Sequence, residues 1–292
     1  MFDVERLVAG YGVMAEVTGW QTDGLPSAAA IAARVSWVES VNSTNSLAWE
    51  LMAVGAEPIA IAGSQTAGRG QWGRQWRSPT GGLYLSVGVA LNLELEQAAL
   101  LTMATGWGLA RALRMLPAGM SGTDQGIPVQ IKWLNDLVLQ GRKLGGILTE
   151  TRIQQGRIAK AVIGVGLNWA NPVPAPGINL ATYLATQPDP LIESLEGLAA
   201  IALHGIFQGL AHLQRGEVNP ILTDYWAWLT HRDRDLDWQG QTWAIVGVTA
   251  AGNLRIQCRT AANPEGNPTE SAVVLLSPGT ISLGYDDLRS IR

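Results

Sequence analysis

The apolar strand segments of this chain are mixed with helical segments in no fixed order, and this mixture limits the folds it can adopt. Between residues 34 and 232, apolar patterns predict strands over 34–41, 58–63, 83–91, 129–138, 145–151 and 158–168. Helices are predicted over 44–54, 94–116, 191–213 and 220–229. Strict alternation would favour a doubly wound parallel sheet, so this order favours an α+β fold with a mixed sheet.

The last part of the chain has a different pattern, because only short strands are predicted there. Strands are predicted over 242–249, 254–259, 272–276 and 280–283, separated by turns. They predict a small β-barrel or sandwich. Because residues 1–33 are weakly patterned, we predict three regions: an N-terminal extension over 1–33, a larger domain over 34–232 and a β domain over 233–292.

The composition excludes several classes of protein. The 34 glycines and 14 prolines would break a coiled coil, and 47% apolar residues exclude a wholly disordered chain. The net charge of −4 argues against a nucleic-acid binder, whose affinity depends on phosphate neutralisation. Cys258 is the only cysteine, which excludes an internal disulfide and a cysteine-based zinc site, and the three histidines lack metal-ligand spacing.

The sequence also predicts a cytoplasmic protein without a membrane segment. Asp3 and Glu5 stand where a signal peptide requires basic residues. The longest nearly uncharged stretch, 161–190, is interrupted by prolines and asparagines, so we expect a core strand and a loop there rather than a bilayer span.

One segment is unusual in its chemistry: residues 67–76 read Ala-Gly-Arg-Gly-Gln-Trp-Gly-Arg-Gln-Trp. Its glycines let backbone amides approach an anion closely, and its arginines supply paired donors for a carboxylate or phosphate. We call residues 67–76 the Gly-Arg loop. Taken alone, the same composition is equally compatible with a solvated surface loop.

Three further motifs follow along the chain. Residues 132–136 (Lys-Trp-Leu-Asn-Asp) place polar groups at the end of an apolar strand, and 143–148 (Lys-Leu-Gly-Gly-Ile-Leu) place a lysine beside two glycines. Residues 164–169 (Gly-Val-Gly-Leu-Asn-Trp) put glycines inside a strand, which allows a ligand to approach closely. Each motif also has an ordinary explanation: a strand ending, a solvated turn lysine and a packing requirement.

The order of these motifs is more specific than any one of them. Ser43-Thr44-Asn45, Gln65, the Gly-Arg loop and the three later motifs occur in one series, in which the sequence resembles the biotin protein ligases over about residues 40–169. The resemblance is less specific over the terminal β domain. It implies a catalytic domain with a mixed sheet, similar to class II aminoacyl-tRNA synthetases and lipoate ligases, followed by an SH3-like β-barrel.

The resemblance implies an ATP-dependent reaction in two steps. The biotin carboxylate attacks the α-phosphate of ATP to give biotinyl-5′-AMP and pyrophosphate, and a lysine of a biotin carboxyl carrier domain of acetyl-CoA carboxylase then displaces AMP. Joining two anions requires fixed positive charge, and Mg²⁺ accompanies the ATP. The implied Mg²⁺ position is near Asp136 and Asn168, without a high-affinity metal site.

Matching motifs also imply roles for individual residues. Lys143 and Arg69 are the implied catalytic residues, which stabilise charge on the biotin carboxylate and the α-phosphate. The implied biotin-binding residues are Ser43, Thr44, Asn45, Gln65, Gly68, Arg69, Gly70, Gln71, Lys143, Gly145, Gly146, Gly164 and Gly166. The implied ATP-binding residues are Arg74, Trp76, Lys132, Asn135, Asp136 and Asn168, with Trp76 on the adenine. A neutral ureido ring needs directional donors and acceptors, which the hydroxyl and amide side chains supply.

The sequence departs from the family pattern at two positions. Gln71 stands where the family usually has an arginine that helps to retain the adenylate, so we expect weaker retention. Leu134 replaces a usual proline, which should alter local rigidity more than chemistry. The 35 or so residues before the first predicted strand contain no recognisable helix-turn-helix, so the monofunctional type, without DNA binding, is expected.

Three other functions are compatible with parts of the sequence. A lipoate or octanoate ligase of the same fold would keep the lysine but not the combination of the Gly-Arg loop with residues 132–136. A non-catalytic biotin- or nucleotide-binding module is favoured only by Gln71, and a transcriptional repressor is disfavoured by the net charge. Both a homodimer through exposed sheet edges and a monomer are compatible with the sequence.

Overall fold

The computed structural model describes residues 2–18, 23–116, 126–187, 192–259 and 272–285. The first of these ranges is helical: α1 spans Val4–Thr18, and α2 spans Ala28–Arg34, capped by the Ser27 hydroxyl. Leu7, Tyr11 and Ile31 are buried in the main hydrophobic core. Residues 1–33, predicted as a weakly patterned extension, therefore contribute two helices to the common core.

A seven-stranded mixed sheet forms the centre of the molecule. Its strands are β1 (Val35–Val41), β2 (Ile59–Gln65), β3 (Leu83–Glu94), β4 (Gln130–Lys132), β5 (Asp136–Leu139), β6 (Arg142–Gln154) and β7 (Arg157–Leu167). The spatial order is β1-β2-β3-β7-β6-β5-β4. Only the β1–β2 pair is parallel, so the predicted mixed sheet is confirmed.

Two faces of this sheet pack differently. Helix α3 (Thr44–Ala53) covers one face, where Ala60 and Val162 pack with Met52 in a small separate cluster. Ile59, Ile61 and the other alternate residues belong to the main core on the opposite face. Successive side chains in a strand point to opposite faces, so this division follows from the period of two.

Helices α4 (Ala98–Arg114) and α6 (Leu195–Gln214) form the layer over the main core. They approach so closely that a Cβ on Gly108 would lie 2.0 Å from the carbonyl oxygen of Gly205. Glycine is therefore required at this crossing. Two shorter helices complete the domain, α5 (Leu180–Leu184) in the stretch predicted as loop and α7 (Val218–Ala227).

The terminal region forms a second, antiparallel sheet of four strands in the order β11-β10-β9-β8. These are β8 (Asp235–Trp238), β9 (Gln241–Val248), β10 (Leu254–Cys258) and β11 (Val273–Leu276). Strand β8 was not predicted, and residues 280–283, predicted as a strand, form none. Closure of this sheet into an SH3-like barrel, and the domain boundaries at 33 and 232, stay predictions.

The predicted strand over 129–138 is wrong in one respect, because a turn at residues 133–135 divides it into β4 and β5. The turn is held from three directions. Tyr225 donates its hydroxyl to the Leu134 carbonyl at 2.7 Å, Asn135 Nδ2 donates to the Ile147 carbonyl at 2.8 Å, and Trp133 Nε1 donates to the Gly252 carbonyl at 2.9 Å. The last bond joins the turn to the terminal sheet.

The predicted helix over 94–116 begins later, at Ala98, because residues 95–97 form a short 3₁₀ turn closed by Glu94 and Gln97. Among the residues that the structure describes, no helix combines the length and the apolar character needed to cross a bilayer.

Candidate active site

The site lies on the sheet face that α3 covers. On β6 and β7, the pairs Gly146 with Gly166, Leu148 with Gly164, and Glu150 with Val162 lie opposite each other. Residues two apart in a strand share a face, so these side chains and glycines form one floor. The two glycines of β7 allow Asn45 and Trp76 to lie directly on this floor: a Cβ on Gly164 would lie 2.1 Å from Asn45 Oδ1, and one on Gly166 would lie 2.5 Å from Trp76 Nε1.

The start of α3 supplies a neutral polar cluster. Ser43 occupies the N-cap position but its side chain makes no capping hydrogen bond. Instead, the Gln65 side chain accepts from the Thr44 backbone at 2.8 Å and from the Thr44 hydroxyl at 3.1 Å. An otherwise unsatisfied helix N–H is thereby capped from the end of β2. Ser86 donates to the Asn45 Oδ1 at 2.7 Å, which orients the Asn45 amide.

The Gly-Arg loop folds back on itself above this cluster. Its hydrogen bonds run from Gly70 N to the Arg74 carbonyl at 2.7 Å and from Trp76 N to the Gly68 carbonyl at 2.9 Å. The tip is a 3₁₀ turn, Gln71–Gly73, in which Trp72 has a φ of 59°. The fold of the loop brings Arg69 and Arg74 to the cavity wall.

A charged cluster occupies the other end of the site. Asp136 Oδ1 lies 2.7 Å from Lys143 Nζ, and Asp136 Oδ2 lies 3.7 Å from Lys132 Nζ. Tyr285 donates its hydroxyl to Asp136 Oδ2, and its ring lies 4.7 Å from Lys132 Nζ. Trp76 covers Lys143, with its ring centroid 5.2 Å from the ammonium. Two cations thus share one carboxylate, which leaves an excess of positive charge.

Burial changes the titration of this cluster. Desolvation lowers the pKa of Lys132, and the nearby cations Lys143 and Arg74 lower it further, while Asp136 opposes the shift. Desolvation and the Asp136 carboxylate both raise the pKa of Tyr285, so its phenol stays protonated and acts as a donor.

These segments enclose a cavity of about 630 Å³. The predicted site residues that line it are Ser43, Thr44, Asn45, Gln65, Arg69, Gly70, Gln71, Arg74, Trp76, Lys132, Asn135, Asp136, Lys143, Gly146, Gly164 and Gly166. Residues separated by more than a hundred positions thus meet at one place, with neutral amides and hydroxyls at one end and the ammonium groups at the other.

Three predicted residues do not line the cavity. Gly145 packs against β7, where a Cβ would lie 2.4 Å from Leu167 Cδ2, and Gly68 packs against the Trp76 carbonyl. Asn168 lies behind Lys143, where its Oδ1 accepts from Asn171 Nδ2 at 3.1 Å. Gly145 and Gly68 serve close backbone packing, and Asn168 braces the strand end.

Several groups in the cavity wall or directly behind it were not predicted from the sequence. Residues 278–283 form part of the wall, and a Cβ on Gly279 would lie 2.6 Å from the Trp72 ring. Glu150 was missed although it binds Arg69 and Asn45. Its period-two spacing from Gly146 and Leu148 places it on the same face of β6, but this spacing alone does not indicate a functional role. No local pattern indicates Tyr285, which lies 149 positions from Asp136.

The side chains near the predicted Mg²⁺ position can be compared with the ligands that this ion prefers. Among the described residues, no group of three or more His, Cys, Asp or Glu side chains is arranged to hold a metal ion. Asp136 lines the cavity and suits the mode in which Mg²⁺ takes one carboxylate and completes its shell with phosphates and water, although a metal ion would have to displace Lys143 or Tyr285 from its oxygens. Asn168 does not fit, because it does not line the cavity.

The fold and the site together define a class: a mixed-sheet α+β protein whose glycine-floored cavity joins a neutral polar end to a cationic end. Residues 37–168 match the model of the biotin/lipoate A/B protein ligase family. This region of the chain is therefore similar to that family, as the motifs predicted.

Curated relatives agree over the same region. The bifunctional ligase/repressor BirA of Escherichia coli is 45% identical over 111 residues, which cover 38% of this chain and 32% of that protein. The biotin–[acetyl-CoA-carboxylase] ligase of Mycobacterium tuberculosis is 35% identical over 136 residues, covering 45% of this chain and 47% of that protein. The matched segments thus span less than half the length of these relatives.

A solved structure extends the agreement in fold. The biotin protein ligase from Aquifex aeolicus in complex with biotin and ATP superposes with a TM-score of 0.61 at 21% identity, covering 85% of this chain and 97% of that one. The predicted fold class, with a mixed sheet followed by a terminal β region, is therefore confirmed.

Proposed function

We propose that this protein is an ATP-dependent biotin–protein ligase. The observation that carries the proposal is the polarity of the cavity: Thr44, Asn45 and Gln65 lie at one end, and Lys143 and Lys132 at the other. Such a cavity suits a ligand with a neutral hydrogen-bonding head and an anionic tail. Biotin has this form, with a ureido ring and a carboxylate.

The floor glycines bring the polar groups close to the strands. A Cβ on Gly164 or Gly166 would collide with Asn45 or Trp76, whereas the nearest atom to a Cβ on Gly146 would lie 3.4 Å away, so a ligand could approach the strand backbone at Gly146. A lipoate dithiolane ring has no comparable donors and acceptors and would leave Thr44 and Asn45 without a polar partner in the ligand. The polar end therefore favours biotin over lipoate.

In the proposed first step, a biotin carboxylate oxygen forms a bond to the α-phosphorus of ATP while the bond to pyrophosphate breaks. Lys143 and Arg69 stabilise the two approaching anions, and Lys132 and Arg74 carry positive charge toward the phosphates. When bound, Mg²⁺ would neutralise phosphate charge, with Asp136 as the protein ligand that fits. Trp76 excludes water from Lys143, although its ring covers this lysine rather than standing free for an adenine.

In the proposed second step, the neutral amine of an acceptor lysine attacks the acyl carbon of the adenylate. An amide forms, AMP leaves with the bonding electrons, and one proton is released. We propose a biotin carboxyl carrier domain of acetyl-CoA carboxylase as the acceptor. A cytoplasmic location, the absence of DNA binding and the choice between monomer and homodimer stay predictions from the sequence.

Mass spectrometry of the purified protein with Mg-ATP, biotin and a carrier domain tests the proposal. We expect the carrier to gain the mass of biotin less water, and this gain should disappear in Lys143→Ala. The variant Lys160→Ala is the matched control, because Lys160 is exposed near the start of β7 and does not line the cavity. If the adenylate formed but the carrier were not modified, only the first step of the proposal would be supported. If the carrier were modified with lipoate but not with biotin, the protein would be a lipoate ligase of the same fold.

A further inference from the structure

The Glu150 side chain connects helix α3 to the Gly-Arg loop. Its Oε2 accepts hydrogen bonds from Asn45 Nδ2 at 3.2 Å, from Trp49 Nε1 at 3.0 Å and from Arg69 Nη2 at 3.2 Å. Its Oε1 lies 3.1 Å from the same Arg69 nitrogen. Three donors, from helix α3 and from the Gly-Arg loop, therefore converge on one carboxylate.

Only an acceptor fits this position. A carboxylate has acceptor sites on both oxygens and no donor, whereas an amide at the same place would turn an NH₂ group toward one of three donors. The carboxylate is also partly buried, with 28% of its side chain exposed. Hydrogen bonds to a charged, partly desolvated acceptor are stronger than neutral ones.

This carboxylate fixes which way the Asn45 amide points. Asn45 uses Nδ2 on Glu150 and on the Leu148 carbonyl, and its Oδ1 accepts from Ser86. Because Glu150 accepts only, the amide cannot turn over without setting its oxygen against a carboxylate. Asn45 is 4% exposed, so water cannot compensate such a reversal.

The same carboxylate anchors Arg69 at one nitrogen. Nη2 is the Arg69 atom that contacts Glu150, and within the described part of the chain Nε and Nη1 have no other hydrogen-bond acceptor. The Arg69 side chain is 45% exposed and lines the cavity. One end of the guanidinium is therefore held while the remaining N–H groups stay available to an anion.

We propose that Glu150 is a positioning residue for the adenylation step, which fixes Arg69 and Asn45 relative to each other so that one ligand meets both. This proposal rests on the proposed function, because it assigns a role within the same site. Glu150 itself does not line the cavity, so it acts through these two residues.

The experiment measures biotin-dependent ATP–pyrophosphate exchange and biotin affinity for the full chain, well below its unfolding temperature. We expect Glu150→Gln to lower kcat/KM for biotin by about tenfold or more, the loss of a charge-assisted contact. Glu150→Asp keeps the charge on a shorter stem and should recover part of this loss. Glu217→Gln, which removes a carboxylate paired with the surface residue Arg215, is the matched control.

A double-mutant cycle distinguishes positioning from a general structural effect. If Glu150 acts through Arg69, then Glu150→Gln should cost much less in the Arg69→Ala background than in the wild type. Trp49→Phe removes the third donor but leaves Arg69 and Asn45 bound, and should change kcat/KM by less than about twofold.

Exchange within twofold of the wild type in Glu150→Gln, or losses that simply multiply in the double variant, would overturn the positioning role. If the wild-type protein itself showed no biotin-dependent exchange, the proposed function would fail instead. If Glu150→Gln did not fold, Glu150→Asp combined with Arg69→Ala would supply the cycle. The two failures are therefore distinguishable.

Discussion

The hydroxyl of Tyr285 donates to Asp136, so the terminal segment of the described chain is hydrogen-bonded to the carboxylate that also binds Lys143 and Lys132. A residue beyond the second sheet thereby helps to orient the charged end of a cavity built on the first sheet. Removal of this hydroxyl should therefore weaken ATP binding at the charged cluster of Asp136, Lys132 and Lys143, and should leave the neutral polar cluster around Thr44 and Asn45 unchanged.

We therefore expect Tyr285→Phe to raise the KM for ATP by roughly three- to tenfold, because Asp136 loses its neutral donor while the ring over Lys132 remains. The KM for biotin should stay unchanged. Steady-state kinetics with each substrate varied in turn measures both values. Tyr183→Phe, which removes the hydroxyl of a buried tyrosine outside the cavity, is the control. A rise in the KM for biotin alone would contradict this role.

Gln71 lines the cavity at the tip of the Gly-Arg loop and carries no charge. We expect Gln71→Arg to slow dissociation of biotinyl-5′-AMP, because a guanidinium near Arg69 and Arg74 adds attraction for the phosphate. Dissociation of the adenylate from both proteins can be followed by stopped-flow fluorescence of the cavity tryptophans. Gln214→Arg adds the same charge at the exposed end of α6 and should have no effect. An unchanged rate in Gln71→Arg would refute the expectation.

Gly164 is the floor position with the least space. A Cβ there would lie 2.1 Å from Asn45 Oδ1, so Gly164→Ala should displace Asn45 and weaken biotin binding by about tenfold or more. Isothermal titration calorimetry without ATP measures this loss. At Gly12, on an exposed part of α1, the nearest atom to a new Cβ lies 3.8 Å away. Gly12→Ala should leave binding unchanged and stabilise the fold by up to about 1 kcal/mol. Equal affinities for the two variants would contradict the packing argument.

His204 gives the fold a dependence on pH. Burial lowers the pKa of His204 from 6.5 to about 4, so the unfolded chain binds a proton between these values while the folded chain does not. The free energy of unfolding should therefore fall as the pH decreases from about 6.5 to about 4, by up to about 3 kcal/mol. Urea denaturation at pH 7 and pH 4.5 should show a smaller decrease for His204→Leu than for the wild type. The same decrease in both proteins would exclude His204 as the source.

The sequence allowed much of this architecture to be predicted because its signals are local. Apolar periodicity located the sheet strands and the two long helices, and the Gly-Arg loop with Lys132, Asp136 and Lys143 identified both ends of the cavity. Helix α1 was not predicted, although Val4, Leu7, Tyr11 and Met14 recur at helical spacing, because Gly10 and Gly12 between them lower the helix propensity. The turn at 133–135 was missed because its stabilising partners, Tyr225, Ile147 and Gly252, are distant in sequence.

The site residues that were predicted wrongly or missed depend on which face of a strand each residue occupies and on its tertiary contacts. Gly145 and Gly146 are adjacent in a strand, so only one of them can face the cavity, and the motif alone does not say which. Glu150 has no unusual neighbours, and its meaning depends on the partners that α3 and the Gly-Arg loop bring to it. Such roles follow from tertiary contacts across 81 and 105 positions rather than from spacing.

The contact between Trp72 and Gly279 sets the order in which the site can be completed during protein synthesis. The floor and both polar ends are encoded before residue 167, yet part of the wall comes from residues 278–283. A nascent chain still held at its carboxyl end can fold the large sheet, but its cavity stays open on that side. Enclosure of the cavity therefore follows the synthesis of the floor and requires that residues 278–285 have emerged from the ribosome.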